Sequence, residues 1–215
     1  MLKIKQFAFG PLGVNTFVVY DSGTLDAIVV DPGMTSQTEY ATFDKYISDN
    51  GLKVQQIVNT HLHMDHCFGD NYVRDKYGVK VAAHVDDAFL GKTMARQAAQ
   101  FGLQVTDNRA VSIDVPLSDG DEIPVGQYTF KVIHVPGHSP GGLALYCAEG
   151  NIMIAGDTLF RGSIGRADLP GGDMQELLDS VSKKMFTLPD STDVLPGHGG
   201  PTKIGTEKAT NPFFN

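Results

Sequence analysis

The sequence predicts a layered α/β protein in which two β-sheets pack together and helices cover their outer faces. Short runs rich in β-branched and aromatic residues recur along the chain, as strands do, namely IKQFAF, NTFVVYD, AIVVDP, VQQIVNT, KVAAH, YTFKVIHV, GLALYC, NIMIAGD and TDVLPGH. Stretches with a helical period lie between some of these runs. The 215 residues contain no repeat, low-complexity tract or dividing linker, so we expect one domain over residues 1–215.

Two helices are predicted from capping residues and periodicity, over residues 36–50 and 173–188, and Gly51 ends the first. Each begins with a capping residue and a glutamate three positions later, which are Ser36 with Glu39 and Asp173 with Glu176. Each also places apolar side chains on one face, which are Tyr40, Phe43 and Ile47 in the first helix and Leu177, Val181 and Met185 in the second.

A third helix is predicted over residues 84–102, with Phe89 and Phe101 among its apolar positions and Gly102 as its end. The following segment, 103–126, shows little periodicity and many turn residues, so it predicts a long irregular excursion. Long loops in compact domains tend to be functional.

The formal net charge of −8 argues against a nucleic-acid partner, which requires a basic face. The opening MLKIKQFAFG alternates apolar and polar residues and has no continuous apolar run, so it predicts neither a signal peptide nor a membrane span. We therefore expect a cytoplasmic protein with no membrane partner. Cys67 and Cys147 make no disulfide framework, and we interpret Cys67 as a packing residue although it follows His66.

The motif THLHMDH, at residues 60–66, concentrates four side chains that bind metals well. They are His61, His63, Asp65 and His66. Four ligands could fill one tetrahedral zinc as a closed structural site. If the strand VQQIVNT continues past Thr60, the first three of these side chains share one face. His66 joins them only where the backbone turns.

Three further positions share one format, in which an apolar strand is followed by glycine and then by a metal-binding side chain. VIHVPGH ends at His138, NIMIAGD at Asp157 and DVLPGH at His198. Sites are commonly built from loops just beyond strand ends, and a glycine permits a sharp turn there. His84 and His134 lack such company, and we interpret both as structural histidines.

Seven candidate ligands are too many for one tetrahedral ion and suit two. We assign His61, His63 and His138 to one ion, Asp65, His66 and His198 to the other, and Asp157 as the bridge. This division leaves positions open for a shared water, and ions about 3.5–4 Å apart are the spacing of two-metal hydrolases. For two divalent ions held by nitrogen and oxygen ligands, zinc is our first expectation, with iron and manganese as alternatives.

Four motifs carry a resemblance to a known family, namely THLHMDH, VPGHSPGG, AGDTLFRGSIGR and LPGHGG. Their order and spacing, from residue 7 to about residue 200, resemble those of the metallo-β-lactamase superfamily and, within it, of the glyoxalase II-like hydrolases. The resemblance implies a four-layer αββα sandwich with the site at the edge where the two sheets meet. Two-domain glyoxalase II enzymes continue into a helical domain that contacts glutathione, whereas only residues 199–215 follow His198 here. The chain therefore resembles the short, single-domain members. Arg166 matches the family's glutathione-contacting Lys/Arg, but Asp168 replaces its usual aromatic residue.

The resemblance implies hydrolysis of a small thioester, such as a 2-hydroxyacylglutathione. In this hypothesis a metal-bound hydroxide held at Asp65 and Asp157 attacks the carbonyl. The thiolate leaves without a separate acid, because a thiol ionises at about pH 8.5. Asp31 would orient a ligand imidazole, or alternatively it only initiates a turn. Arg166 would hold a substrate carboxylate, or alternatively it is a solvated surface residue.

Two alternatives stay open. Glutathione persulfide dioxygenases share the fold and use a single iron bound by the counterparts of His61, His138 and Asp157, and GRAD at 165–168 resembles their substrate-binding segment. The other alternative is a non-catalytic metal-binding or interaction module. A secreted class B β-lactamase is disfavoured because no signal peptide is found, and an RNA-processing relative because the acidic chain lacks a basic face.

Overall fold

The computed structural model describes residues 1–215 and contains two six-stranded sheets. The first sheet has, in spatial order, β1 Leu2–Phe9, β2 Val14–Asp21, β3 Asp26–Val30, β4 Lys53–Val58, β5 Lys80–His84 and β6 Val115–Leu117. Strands β1 to β3 are antiparallel, and β3 to β6 run parallel. Because parallel strands end at one edge, the loops after β3 and β4 meet there.

The second sheet contains β7 Glu122–Val125, β8 Tyr128–His134, β9 Leu143–Cys147, β10 Ile152–Gly156, β13 Asp193–Pro196 and β14 Thr202–Lys203. A separate hairpin is formed by β11 Leu159–Phe160 and β12 Ser163–Ile164. The spatial order is β14-β13-β10-β9-β8-β7. Only β10 and β13 are parallel neighbours, so their carboxyl ends also point to a common edge.

Seven α-helices accompany the sheets, namely α1 Gln37–Asp49, α2 Met64–Cys67, α3 Asp70–Tyr77, α4 Ala88–Lys92, α5 Met94–Gln100, α6 Met174–Lys183 and α7 Ile204–Thr210. Helices α1, α3 and α5 contribute to a core against the first sheet, and α6 and α7 to one against the second. None of the helices combines the length and apolar character needed to cross a membrane.

Three hydrophobic cores separate four layers, which confirms the αββα sandwich. Strand β2 shows why, since Val18 faces the helices while Phe17 and Val19 face the second sheet. In the second sheet, Ile154 faces the first sheet and Met153 faces the outer helices. Side chains that alternate along a strand point to opposite faces, so a sheet covered on both sides has apolar residues at successive positions.

The structure confirms the predicted strands, because all nine β-branched runs form strands. It also confirms the first predicted helix, where the Ser36 hydroxyl accepts from the Glu39 amide and the Glu39 carboxylate accepts from the Ser36 amide. The Asp173 carboxylate caps α6 by accepting from the Glu176 amide at 2.9 Å, but the second half of the expected capping box is absent, because the Asp173 amide donates to the Gly137 carbonyl instead. That helix ends at Lys183 rather than at residue 188.

The single helix predicted over residues 84–102 was wrong. His84 ends β5, a short 3-10 turn covers Val85–Asp87, and helices α4 and α5 are separated at Thr93. The Thr93 hydroxyl donates to the Phe89 carbonyl at 2.8 Å. A hydroxyl that returns to the preceding turn bends or interrupts a helix, so the break follows from one side chain inside an otherwise helical pattern.

Two other expectations also need correction. Segment 103–126 is not irregular throughout, because it contains β6 and β7, which extend the two sheets beside β5 and β8. These strands depend on partners elsewhere in the chain, and strand propensity is strongly context-dependent. The strand before THLHMDH does not continue past Thr60 either, since β4 ends at Val58 and α2 begins at Met64.

Candidate metal centre

The structure brings all seven predicted ligand side chains together beyond the carboxyl ends of β4, β8, β10 and β13. Their donor atoms fall into overlapping groups within 4.8 Å, which are His61 with His63 and His138, His61 with His66 and Asp157, and Asp65 with His66 and His198. The first turn of α2 carries Asp65 and His66. This turn achieves what the extended strand could not, because it directs His66 to the same side as the other donors.

The first group consists of three histidine nitrogens that converge on one point. His138 Nε2 lies 3.2 Å from His61 Nε2 and 2.9 Å from His63 Nδ1. The His138 Nδ1–H donates to the Arg166 carbonyl at 2.7 Å, which leaves the lone pair of Nε2 facing the other two rings. Nitrogens this close suit one ion with metal–nitrogen bonds of about 2.0–2.1 Å.

The second group adds carboxylate oxygens. His198 Nε2 lies 3.1 Å from Asp65 Oδ2, and His66 Nε2 lies 3.9 Å from the same oxygen. Asp157 sits between the groups, with Oδ1 3.4 Å from His66 Nε2 and Oδ2 3.6 Å from His198 Nε2 and 3.8 Å from His138 Nε2. This is the position that a bridging carboxylate requires.

Two unpaired buried atoms show that the donor set fits a cation. His66 Nε2 and Asp157 Oδ1 have no hydrogen-bond partner, although they lie 3.4 Å apart. The opposite nitrogen of His66, Nδ1, donates to Asp31 Oδ2 at 2.9 Å, so the neutral ring presents a lone pair to a carboxylate oxygen. Two acceptors facing each other away from water need a positive charge between them.

Burial keeps the three-histidine group neutral. Removal from water, reinforced by the neighbouring histidines, lowers the pKa of His61 well below its usual value and that of His63 to about 3. Burial also lowers the pKa of His138, although Asp157 opposes this. Neutral imidazoles are the form that binds a metal, so this group is ready to coordinate without losing protons.

The second group behaves in the opposite way. Burial disfavours the charged form of His66, but the carboxylates of Asp157, Asp31 and Asp65 outweigh it and raise its pKa well above the usual value. Burial likewise opposes protonation of His198, yet the hydrogen bond to Asp65 raises its pKa. In the absence of an ion, a proton on His66 supplies the positive charge that this group requires.

Asp31 has the contacts expected of a residue that orients His66. Besides His66, its carboxylate accepts from the Thr60 amide at 2.7 Å and from the Thr60 hydroxyl at 2.6 Å. Asp31 is fully buried and has a φ of +50°, a left-handed conformation that Asp tolerates better than most residues. Such a conformation persists only where the surroundings enforce it, and these hydrogen bonds do so.

The glycines that precede the ligands serve two different purposes. Gly137 and Gly156 have φ values of +125° and +51°, and both provide the sharp turn expected from the sequence. Gly197 has no such angle. A Cβ at Gly197 would instead lie 2.6 Å from His66 Cε1 and would collide with the Asp157 carboxylate. The loop that carries His198 therefore needs glycine because it passes against the centre.

Asp87 is a residue that the sequence analysis missed. Its buried carboxylate accepts from the Leu62 amide at 3.1 Å, from the Ser139 hydroxyl at 2.8 Å and from the Gly141 amide at 2.7 Å. It thus ties the loop of His61 and His63 to the loop that follows His138. No sequence signal identified it, because VDDAFL looks like an ordinary helix start.

Asn15, also missed, holds the loop of the last histidine. Its side-chain amide donates to the Pro196 and Gly199 carbonyls, both at 2.9 Å, and its backbone amide donates to the Gly197 carbonyl at 2.7 Å. Here a sequence signal was present, because Asn15 is a polar residue at the start of the apolar run NTFVVYD.

Arg166 lines the cleft beside the donors, but its side chain already has a partner. Nε and Nη2 donate to the two oxygens of Asp168, both at 2.7 Å, and 53% of the side chain is exposed. Its backbone carbonyl is what holds His138. The predicted contact of the Arg166 side chain with a substrate carboxylate therefore competes with Asp168 and stays a prediction.

The family model of the metallo-β-lactamase superfamily matches residues 9–198, and the chain belongs to this superfamily. Hydroxyacylglutathione hydrolase GloC of Haemophilus influenzae is 32% identical over 208 residues, which are 94% of this chain and 92% of that protein. The B3 metallo-β-lactamase BLEG-1 superposes with a TM-score of 0.89 and 33% identity over 99% of this chain and 100% of that one. TTHA1623 in a di-iron-bound form superposes with a TM-score of 0.85 and 35% identity over 97% of this chain and 99% of that one.

Membership and the donor groups together define a metal-dependent hydrolase of a dinuclear family with His and Asp ligands. The di-iron form of one similar structure shows that this fold does not by itself select zinc. The identity of the metal in this chain is therefore a matter for direct measurement.

Proposed function

We propose that this protein is a dinuclear metal-dependent thioesterase that hydrolyses a small 2-hydroxyacyl thioester, with a 2-hydroxyacylglutathione as the first candidate. The observation that carries the proposal is the lining of the cleft beside the donors. Apart from the Asp and His donors, Arg166 is its only ionisable side chain. An arginine stays protonated and does not serve as a general acid. The leaving group must depart unaided, which suits a thiolate with a parent pKa of about 8.5 better than an amine.

When bound, two divalent ions supply an activated water and a Lewis acid at neutral pH. The chain's own residues determine where these act. His61, His63 and His138 would hold one ion, Asp65, His66 and His198 would hold the other, and Asp157 would serve both.

Asp65 and Asp157 face the cleft as ionised acceptors. Burial opposes their ionisation, but the neighbouring His66 lowers the pKa of both below the usual value. Asp31 fixes the ring of His66, and Asp87 fixes the two loops of the three-histidine group. The protein thereby holds the donors rigidly before the substrate arrives, which reduces the reorganisation needed during the reaction.

The similarity to a hydroxyacylglutathione hydrolase supports the acyl class. The Arg166–Asp168 pair gives glutathione less weight, because the arginine expected to contact it is already occupied. Zinc as the resident metal, a single domain over residues 1–215 and a cytoplasmic location are parts of the same proposal.

The test is metal quantification coupled to a substrate panel on one preparation. We expect two ions per chain and oxygen-independent hydrolysis of S-lactoylglutathione or of simpler 2-hydroxyacyl thioesters. A β-lactam, a lactone and a phosphoester complete the panel. No thioester hydrolysis by metal-replete protein would overturn the proposal.

The same experiment separates the alternatives. A single iron with oxygen uptake on glutathione persulfide would identify a dioxygenase. Preferential β-lactam turnover would identify a β-lactamase. No turnover of any compound would indicate a binding module.

A further inference from the structure

A groove continues from the centre along helices α4 and α5. The cleft at the donors has a volume of about 120 Å³, and a neighbouring cavity of about 260 Å³ shares part of its lining. The shared residues are His63, Gln97, Phe101 and Leu169. We call the larger cavity the side groove. Because it opens beside a predicted metal ligand, a substrate whose carbonyl lies at the donors can extend one arm into it.

The walls of the side groove are apolar and exposed. Phe89 and Phe101 are 42% and 50% exposed, and Leu169 and Pro170, on the loop that follows Arg166, also line the groove. Of the seven large hydrophobic side chains that are exposed in the chain, Leu12, Phe89 and Phe101 line these two cavities. Clustering of exposed apolar side chains beside a catalytic cleft indicates contact with an apolar part of a ligand.

One unpaired cation lies in this apolar lining. Arg96 forms no hydrogen bond or ion pair, whereas Arg74, Arg109 and Arg166 pair with carboxylates and Arg161 donates to a carbonyl. Of the neutral polar side chains in the same lining, Thr93 and Gln97 hydrogen-bond to the backbone of α4, and Gln100 forms no hydrogen bond. A free guanidinium is suited to bind a carboxylate or phosphate through two parallel hydrogen bonds.

We propose that the side groove binds one arm of the thioester, an apolar chain that bears an anionic group, and that Arg96 is the counter-ion that selects it. The carbon chain packs on Phe89 and Phe101, and the anion reaches Arg96. This inference rests on the proposed thioesterase function and adds the class of substrate. The anionic arm belongs either to the acyl group or to the thiol, and the two are distinguished by experiment.

The direct test is calorimetric binding of two matched non-hydrolysable probes to metal-loaded protein. The probes are 6-(methylthio)hexanoate and its neutral amide. We expect the wild type to prefer the carboxylate about fivefold, as for an exposed ion pair, and the preference to shrink as salt is added.

Arg96→Gln should abolish this preference. The matched control is Lys92→Gln, which removes the same charge from a nearby position that lines a different cavity. It should retain the preference. A carboxylate preference that survives Arg96→Gln would mean that the probe binds the metals instead, and it would overturn the inference.

Kinetics on two substrate series then identify the arm. One series keeps the thiol and compares hexanoyl with adipoyl thioesters, and the other keeps a lactoyl group and compares thiols with and without a carboxylate. The series whose kcat/KM preference disappears in Arg96→Gln contains the bound arm. Phe101→Ala should flatten the chain-length dependence, which is about threefold to fourfold per buried methylene.

The outcomes separate the two proposals. If no thioester is hydrolysed, the proposed function fails, and the probe pair still decides what the side groove binds. If thioesters are hydrolysed but neither series nor the probe pair responds to Arg96→Gln, the function stands and the inference about the groove is wrong.

Discussion

The seven histidines of this chain form two groups with opposite character. Five lie in the candidate metal centre, and the other two, His84 and His134, form a separate pair. By distance alone the pair also qualifies as a metal site, because donor atoms of His84, Asp86 and His134 lie within 4.8 Å of one another. Proximity therefore does not distinguish the groups.

The orientation of the rings distinguishes the two groups of histidines. His84 and His134 stack face to face, with centroids 4.2 Å apart and planes within 9°. His84 Nδ1 accepts from the Asp86 amide at 3.3 Å, and His134 Nε2 donates to the Pro140 carbonyl at 2.9 Å. Lone pairs lie in the ring plane, so stacked rings do not direct them to one point. In the candidate metal centre the nitrogen lone pairs converge, and buried acceptors are left without hydrogen-bond partners. Convergent lone pairs with unpaired acceptors, rather than a count of histidines, therefore indicate a metal site.

The largest expected effect comes from removing the carboxylate between the two donor groups. Asp157→Ala should leave fewer than two ions per chain and reduce thioester hydrolysis by about 10³-fold or more, because loss of a Lewis acid costs several kcal/mol. Metal analysis and single-substrate kinetics on the same sample measure both. Two bound ions and unchanged turnover in this variant would show that Asp157 is not the bridge.

The neighbouring residues Asp86 and Asp87 allow a matched test, because Asp86 contacts His84 of the stacked pair and Asp87 supports the centre. Asp87→Asn should lower the free energy of unfolding by roughly 2–4 kcal/mol, since an amide replaces a buried acceptor of three donors. Asp86→Asn, at an exposed side chain, should change it by less than about 0.5 kcal/mol. Urea unfolding of both variants is the measurement. Equal changes in the free energy of unfolding in the two variants would show that Asp87 has no special structural role.

Asp31→Asn keeps the shape of the side chain but weakens the acceptor that orients His66. We expect metal affinity to fall about 10- to 100-fold, which is typical when such a partner of a ligand imidazole is changed. Competition with a chelator of known affinity gives the value. Thr60→Ser is the control, because it retains the hydroxyl that donates to Asp31. An unchanged affinity would reduce Asp31 to a turn residue.

The two ion positions should differ in their response to pH. The raised pKa values of His66 and His198 mean that an ion must displace protons there, so affinity at this position falls as the pH falls. The lowered pKa values of His61 and His63 mean that their position keeps its affinity to lower pH. Zinc titration of metal-free protein should therefore approach one ion per chain at mildly acid pH and two at neutral pH. Parallel loss of both ions would contradict this difference.

Among the histidines, the smallest effect is expected at the stacked pair. His134→Ala removes a ring contact and one hydrogen bond to the Pro140 carbonyl, and should cost about 1 kcal/mol of stability. Metal content and turnover should stay at wild-type values. A loss of metal in this variant would show that the pair contributes to metal binding and that ring orientation is the wrong criterion.

The nine main strands, the capped helices and the set of candidate ligands could be predicted from the amino-acid sequence alone. These features depend on neighbours along the chain. The capping box joins residues three positions apart, strand faces follow from alternation, and THLHMDH places four donors within one loop and one helical turn. The same local chemistry explains why Gly137 and Gly156 were correctly expected to turn the backbone.

The way in which the donors are held, and the residues that surround them, depend on contacts between distant parts of the chain. Asp65 meets His198 across 133 positions of sequence, and Asn15 meets Pro196 across 181. Strands β6 and β7 exist because β5 and β8 lie beside them, and the partners of Asp87 come from two separate loops. Contacts of this kind arise from the packing of two sheets at one edge, and no local pattern records which distant residue will complete a hydrogen bond. The same packing leaves Arg96 without a partner beside the centre.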